Sequence, residues 1–121
     1  FKQSVFGLLV FLKEVEMRVY NKLVRDNIPK IIADNGEKAN TYILDDEQYI
    51  IELKKKLREE VNEYFESDEL VELADILEVV DALASAAGNS FADVLDLKKK
   101  KALQNGAFNE KIFLVEVEEN D

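Results

Sequence analysis

The chain has 121 residues, 26 Asp+Glu against 16 Lys+Arg, and a formal charge of −10, with no Cys and no His. Without those two residue types there is no disulfide, no thiolate nucleophile, no Cys- or His-ligated metal and no Ser-His-Asp catalysis. The negative balance also disfavours nucleic-acid backbones and anionic membranes as partners. Carboxylates are the plentiful reactive groups, so metal and water are the chemistry left open.

Four Gly and one Pro are too few for the many turns of a small sheet protein, so the composition predicts long helices. Residues 1–16 read differently from the rest. Val5 to Leu12 is an apolar run of eight, far short of the roughly 20 residues that cross a bilayer. Lys2 could open a secretion signal, but Lys13-Glu-Val-Glu16 stands where a small-x-small cleavage site belongs. Met17 resembles a natural start. Residues 1–16 are therefore expected to lie outside the fold, as an extension, and residues 17–121 to form a single all-α domain. The alternative is an N-terminal segment that packs on a partner chain. A cytoplasmic protein is expected.

From Met17 onward, Val19 to Val24 is expected to be extended. Asp26 or Asn27 can cap a short helix with Pro29 in its first turn, where the missing N–H costs nothing, and Gly36 ends it. Thr41 to Leu44 is a brief extended stretch. Asp45 or Asp46 caps a long helix over 46–66, whose apolar residues Tyr49, Ile50, Leu53, Leu57, Val61, Tyr64 and Phe65 recur at three and four. Ser67-Asp68 makes a turn and a new cap. The next helix runs over 69–87 and stops at Gly88-Asn89. Ser90 with Asp93 forms a capping box that opens a helix to Asn105, closed by Gly106. Lys111 to Val117 alternates weakly and reads as a strand or an extended tail.

Helix 69–87 is apolar on all sides, and such a helix must be covered on all sides. One long neighbour and two short helices cannot do that alone, so the pattern predicts a dimer or tetramer that buries it in a bundle. A monomer that covers it with its own N-terminal apolar segment is the alternative.

Acids interrupt this helix at Glu72, Asp75, Glu78 and Asp81. Each step of three turns a side chain by about 60°, so Glu72 and Asp75 share a face, as do Glu60 and Glu63 on the helix before. In an antiparallel hairpin, residues whose numbers share a sum lie level. Glu60 with Asp75 and Glu63 with Glu72 share the sum 135, centred on the Ser67-Asp68 turn. Two acid pairs thus come level across one hairpin. Four converging carboxylates raise each other's pKa, and a divalent cation resolves the repulsion. Oxygen-only ligands favour Mg²⁺ or Mn²⁺. The competing reading has Glu59 and Glu63 facing water, ion-paired with Lys55, Lys56 or Arg58.

Glu59-Glu60-x-x-Glu63 followed by Glu72-x-x-Asp75 resembles the metal motif of the MazG-like, all-α nucleoside triphosphate pyrophosphohydrolases, which include the phosphoribosyl-ATP pyrophosphohydrolases. Tyr20-Asn-Lys-Leu-Val-Arg-Asp-Asn-Ile-Pro29 resembles the opening of one branch of that family, and Glu72-Leu-Ala-Asp75 and Gly106-Ala-Phe108 fit the same branch. The resemblance covers roughly residues 18–115. It implies an antiparallel helical hairpin completed to a four-helix-type bundle by oligomerisation. It also implies Mg²⁺-dependent cleavage between the α and β phosphates of a nucleotide, giving a monophosphate and pyrophosphate. Carried over by position, Glu60, Glu63, Glu72 and Asp75 are the expected metal ligands, and Glu59 the acid that orients or deprotonates the attacking water.

Two positions depart from the pattern. Eight residues separate Glu63 from Glu72, fewer than in many members, and Asn105 stands before Gly106 where this branch often has Arg. For phosphate contacts, Lys22 and Arg25, with Asp26, lie in the best-matching motif outside the acids, and Lys98 or Lys101 of the tetralysine run is the further candidate. Surface solubility is the competing role for all of them. A non-catalytic acidic helical interaction domain is the alternative function.

Overall fold

In the computed structural model, residues 17–120 are described, and they contain four α-helices: α1, Ile28–Asp34; α2, Asp46–Ser67; α3, Leu70–Ala86; and α4, Phe91–Asn105. No strand occurs among the described residues. The all-α expectation holds. The reading of residues 1–16 as an extension lies outside the described residues. The chain divides into two compact units, Phe1–Thr41 and Tyr42–Asp121.

Within the first unit, α1 starts after Asn27, which makes no side-chain cap, and places Pro29 in its first turn as the sequence requires. Leu23, Val24, Ile28, Pro29 and Ile32 are half-buried, and no residue of α1 is fully buried. Arg18 donates to Glu37, and Lys30 pairs with Asp34 at 2.9 Å, one helical turn away.

Within the second unit, α2 begins at Asp45, whose carboxylate accepts the Gln48 N–H at 2.8 Å, and Asp46 and Glu47 complement the helix dipole in the first turn. The helix ends where Asp68 adopts a left-handed conformation (φ 55°) and returns its N–H to the Tyr64 carbonyl at 2.8 Å. Asp68 therefore closes α2 rather than capping α3. The residue before α3 is Glu69, which supplies no side-chain cap. Ser67 instead accepts the Glu69 N–H through its hydroxyl at 3.2 Å. This short turn folds α3 back against α2, the most extensive packing between helices in the unit. The capping box of Ser90 and Asp93 forms in both directions, at 2.8 and 3.2 Å. Gly106, at φ 83°, closes α4.

The interior of this hairpin is small. Leu53 and Val79 are the only apolar residues buried among the described ones, with 3% and 7% of their surface exposed. Tyr49, Ile50, Leu57, Val61 and Tyr64 of α2 and Ile76, Val80 and Leu83 of α3 are half-buried around them. A chain of this length ordinarily buries about two-thirds of the surface its unfolded form exposes. Here large apolar side chains stay uncovered, among them Leu70, Val71, Leu73 and Leu77 of α3. No helix among the described residues is long and apolar enough to cross a membrane.

Candidate metal centre

The third buried residue is an acid. Glu60 is 6% exposed, and the helical period explains why. It lies seven residues after Leu53 and four before Tyr64, in the stripe that α2 turns toward α3. Glu72 occupies the corresponding stripe of α3, seven residues before Val79. The two helices thus carry carboxylates at positions where the pattern otherwise places Leu, Val or Tyr.

The hairpin brings those acids together. One carboxylate oxygen from each of Glu60, Glu72 and Asp75 lies within 4.8 Å of the other two, and Glu59, Glu60 and Glu63 form a second group by the same measure. Glu60 belongs to both groups, so the other four acids singled out by spacing surround one buried carboxylate. The level pairing across the Ser67-Asp68 turn is realised.

The electrostatics follow from the crowding. Burial pushes the Glu60 carboxyl above its ordinary 4.5, the hydrogen bond and charge of Glu63 push it further, and Lys56 opposes the rise. Glu72 is also raised, by lost hydration and then by the charge of Asp75, with Glu60 adding to it. Glu60 Oε2 and Glu72 Oε2 are both buried without a hydrogen-bond partner. A buried carboxylate oxygen with no donor is costly to leave so. The only donors of suitable charge for such oxygens are protons, cationic side chains and metal ions.

Lys56 approaches Glu59 and Glu60 at 3.4 Å each. The sequence offered Lys56 as a surface partner for Glu59. Its reach to buried Glu60 was not singled out, although the i, i+4 spacing carries the signal. Glu60 Oε2 and Glu72 Oε2 have no hydrogen-bond partner all the same. The donor set is oxygen-only, which suits a hard divalent cation such as Mg²⁺ or Mn²⁺. The residues therefore fit such an ion, held by Glu60, Glu72 and Asp75 with Glu63 adjoining.

Lys22, Arg25 and Asp26 are exposed residues of the first unit, where the Lys22 ammonium stands 6.0 Å from the centre of the Tyr20 ring. Lys98 and Lys101 are exposed on α4. No protein-family model, no curated protein and no solved structure matches the chain.

Proposed function

We propose that the chain is a Mg²⁺-dependent nucleoside triphosphate pyrophosphohydrolase of the MazG-like kind, which cleaves between the α and β phosphates. The observation that carries this reading is the buried Glu60 carboxylate, unsatisfied at one oxygen, with Glu72 and Asp75 converging on it. Acids placed in a hydrophobic hairpin at the cost of stability are arranged for a ligand rather than for packing. When bound, a divalent ion supplies charge neutralisation on the phosphates and lowers the pKa of water.

The chain's own residues divide the remaining work. Glu60, Glu63, Glu72 and Asp75 hold the cation. Glu59 is half-buried at the margin of the cluster with Lys56 beside it. That position suits an acid that orients or deprotonates a water molecule beside the cluster. Lys22, Arg25 and Asp26, and Lys98 or Lys101, are the proposed phosphate and nucleotide contacts.

The working form in this proposal is a homo-oligomer, a dimer or tetramer, in which the hairpin is completed to a four-helix-type bundle. Leu70, Leu73 and Leu77 recur at three and four along α3. They lie on the side away from Glu72 and Val79 and are 80%, 39% and 53% exposed. That seam has the spacing that packs against another helix, while the acids occupy the opposite face. Assembly and metal binding therefore use different sides of α3.

The test is a panel of nucleoside triphosphates with Mg²⁺, reading pyrophosphate against orthophosphate. Pyrophosphate release that disappears in Glu60→Gln and Asp75→Asn supports the reading. No release from any nucleotide, with oligomerisation intact, leaves the non-catalytic acidic interaction domain.

A further inference from the structure

The segment after α4 carries its own unmet requirement. Phe108 is 96% exposed, Ile112 84%, Phe113 87%, Leu114 72%, Val115 83% and Val117 76%. Two local features set its course: Gly106 at φ 83° breaks the helix, and a turn returns the Lys111 N–H to the Phe108 carbonyl at 3.2 Å with Lys111 at φ 59°. Beyond this turn the backbone is non-helical, and residues 112–120 make no backbone hydrogen bond among the described residues. Ile, Phe, Leu and Val in succession favour a strand. A strand with both an uncovered side-chain face and an open backbone is a template for pairing with another strand.

We infer that residues 111–119 form an arm that pairs antiparallel with the same arm of a second copy of this chain, with Val115 at the two-fold axis. The identity of the occupant and the register both come from charge. Lys111 is the only cation after Asn105, whereas Glu110, Glu116, Glu118 and Glu119 are all anionic. With Val115 opposite itself, Lys111 comes level with Glu119 of the second copy, and the symmetry makes this ion pair twice. Phe113 then lies opposite Val117 of the second copy, so one face reads Lys-Phe-Val-Val-Glu with its apolar middle unbroken. Centring the pair on Leu114 sets Glu110 opposite Glu118, and centring it on Phe113 sets Glu110 opposite Glu116. Centring it on Glu116 sets that acid against itself. Like charges directly opposite are destabilising, and of the registers free of them the Val115 one alone sets Lys111 opposite an acid. The arm is thus self-complementary, as a two-fold interface requires.

This inference rests on the chain associating with itself, and not on its being an enzyme. Because the chain has no cysteine, single introduced cysteines report the register in the full-length protein. Opposed residues of an antiparallel pair have Cα atoms about 4.5–5.5 Å apart, within disulfide range, whereas Leu114 residues set diagonally fall near its limit at roughly 7–8 Å. Val115→Cys, oxidised by diamide at micromolar concentration, is expected to form a covalent dimer at least about tenfold faster than Leu114→Cys. Lys111→Glu added to Val115→Cys should slow the reaction, and Glu119→Lys added to that pair should restore it. Light scattering of the unmodified chain accompanies the test. A Val115→Cys protein that stays monomeric, with its thiol either reactive or shielded by its own chain, overturns the arm. So does equal cross-linking at positions 114 and 115. If the unmodified chain is nonetheless an oligomer, the arm alone has failed and self-association stands. A monomeric unmodified chain overturns both.

Discussion

Replacing Glu60 by Gln keeps the shape of the side chain and removes one buried negative charge. Two carboxylate oxygens 4.8 Å apart repel by about 3.5 kcal/mol when both are ionised, at an effective dielectric constant of about 20. Glu60 takes part in such contacts with Glu59, Glu63, Glu72 and Asp75, so the repulsion at stake is a multiple of that, reduced where solvent screens the pair. Against it stands the attraction to Lys56 at 3.4 Å, about 5 kcal/mol on the same scale. The Lys56 ammonium keeps Glu59 after the substitution. Proton uptake already relieves part of the repulsion, as the raised pKa values of Glu60 and Glu72 require. The metal-free Glu60→Gln protein is therefore expected to be more stable than wild type by about 1–2 kcal/mol near neutral pH, a rise in melting temperature of roughly 5–10 °C. Wild type should instead gain about 2.7 kcal/mol from Mg²⁺ or Mn²⁺ at a hundredfold excess over its dissociation constant, and the variant little. Thermal melts in chelator and in excess metal, for both proteins, measure all four states. A variant that melts below wild type without metal, together with a wild type indifferent to both cations, would refute the reasoning and make Glu60 a structural partner of Lys56.

Asp75→Asn should lower pyrophosphate release by about a hundredfold or more while leaving the metal-free melting temperature unharmed, measured on the same preparations. Leu53→Ala should cost about 2–5 kcal/mol in denaturant unfolding, because Leu53 is 3% exposed and its loss opens a cavity. Leu73→Ala opens no comparable cavity within the protomer, where Leu73 is 39% exposed, so its cost should appear only at concentrations where the oligomer forms. The raised carboxyls set a pH dependence: between the ordinary 4.5 and their folded values, Glu60 and Glu72 bind more protons folded than unfolded. Metal-free stability should therefore fall as pH rises through that window and then level, while the stabilisation by Mg²⁺ should grow over the same range. Melts with and without chelator across pH 4–8 read both slopes.

Which parts of this were legible in the sequence depends on how local their causes are. The Ser90–Asp93 capping box, the Asp45 cap and the stop at Gly106 are contacts within a few residues, and each forms where the residues predict. The Asp68 turn was half-legible: its place between the helices followed from the apolar periodicity, but its left-handed geometry, which makes it the end of α2 rather than the start of α3, is not written in a residue type that both positions accept. The carboxylate cluster is a long-range feature made readable by a short turn. With only Asp68 and Glu69 between the helices, the hairpin has little freedom of register, so level pairing across it could be computed from residue numbers. The exposure of Leu73 was less legible. A helix apolar on every side does not reveal which side its own chain covers, and the interior formed on the face of Glu72 and Val79.

That choice of face ties the cluster to assembly. Had α3 buried Leu73 and Leu77 against α2, the hairpin would have gained an apolar core, and Glu72 and Asp75 would have faced water beside an ordinary surface. Instead the acids occupy the inner stripe, and the leucines remain outside. Turning an apolar face to solvent while burying Glu60 is unfavourable for an isolated protomer on both counts. On the proposed reading each count has a separate remedy: a divalent cation for the orphaned Glu60 and Glu72 oxygens, and a second copy for the α3 seam and the 111–119 arm. The remedies act on opposite faces of one helix, so they should be separable. Leu77→Asp is expected to dissociate the oligomer and lower its stability, yet to retain a metal-induced rise in melting temperature. Loss of that rise, in a variant that is still helical by circular dichroism, would mean that the second copy itself completes the cation site.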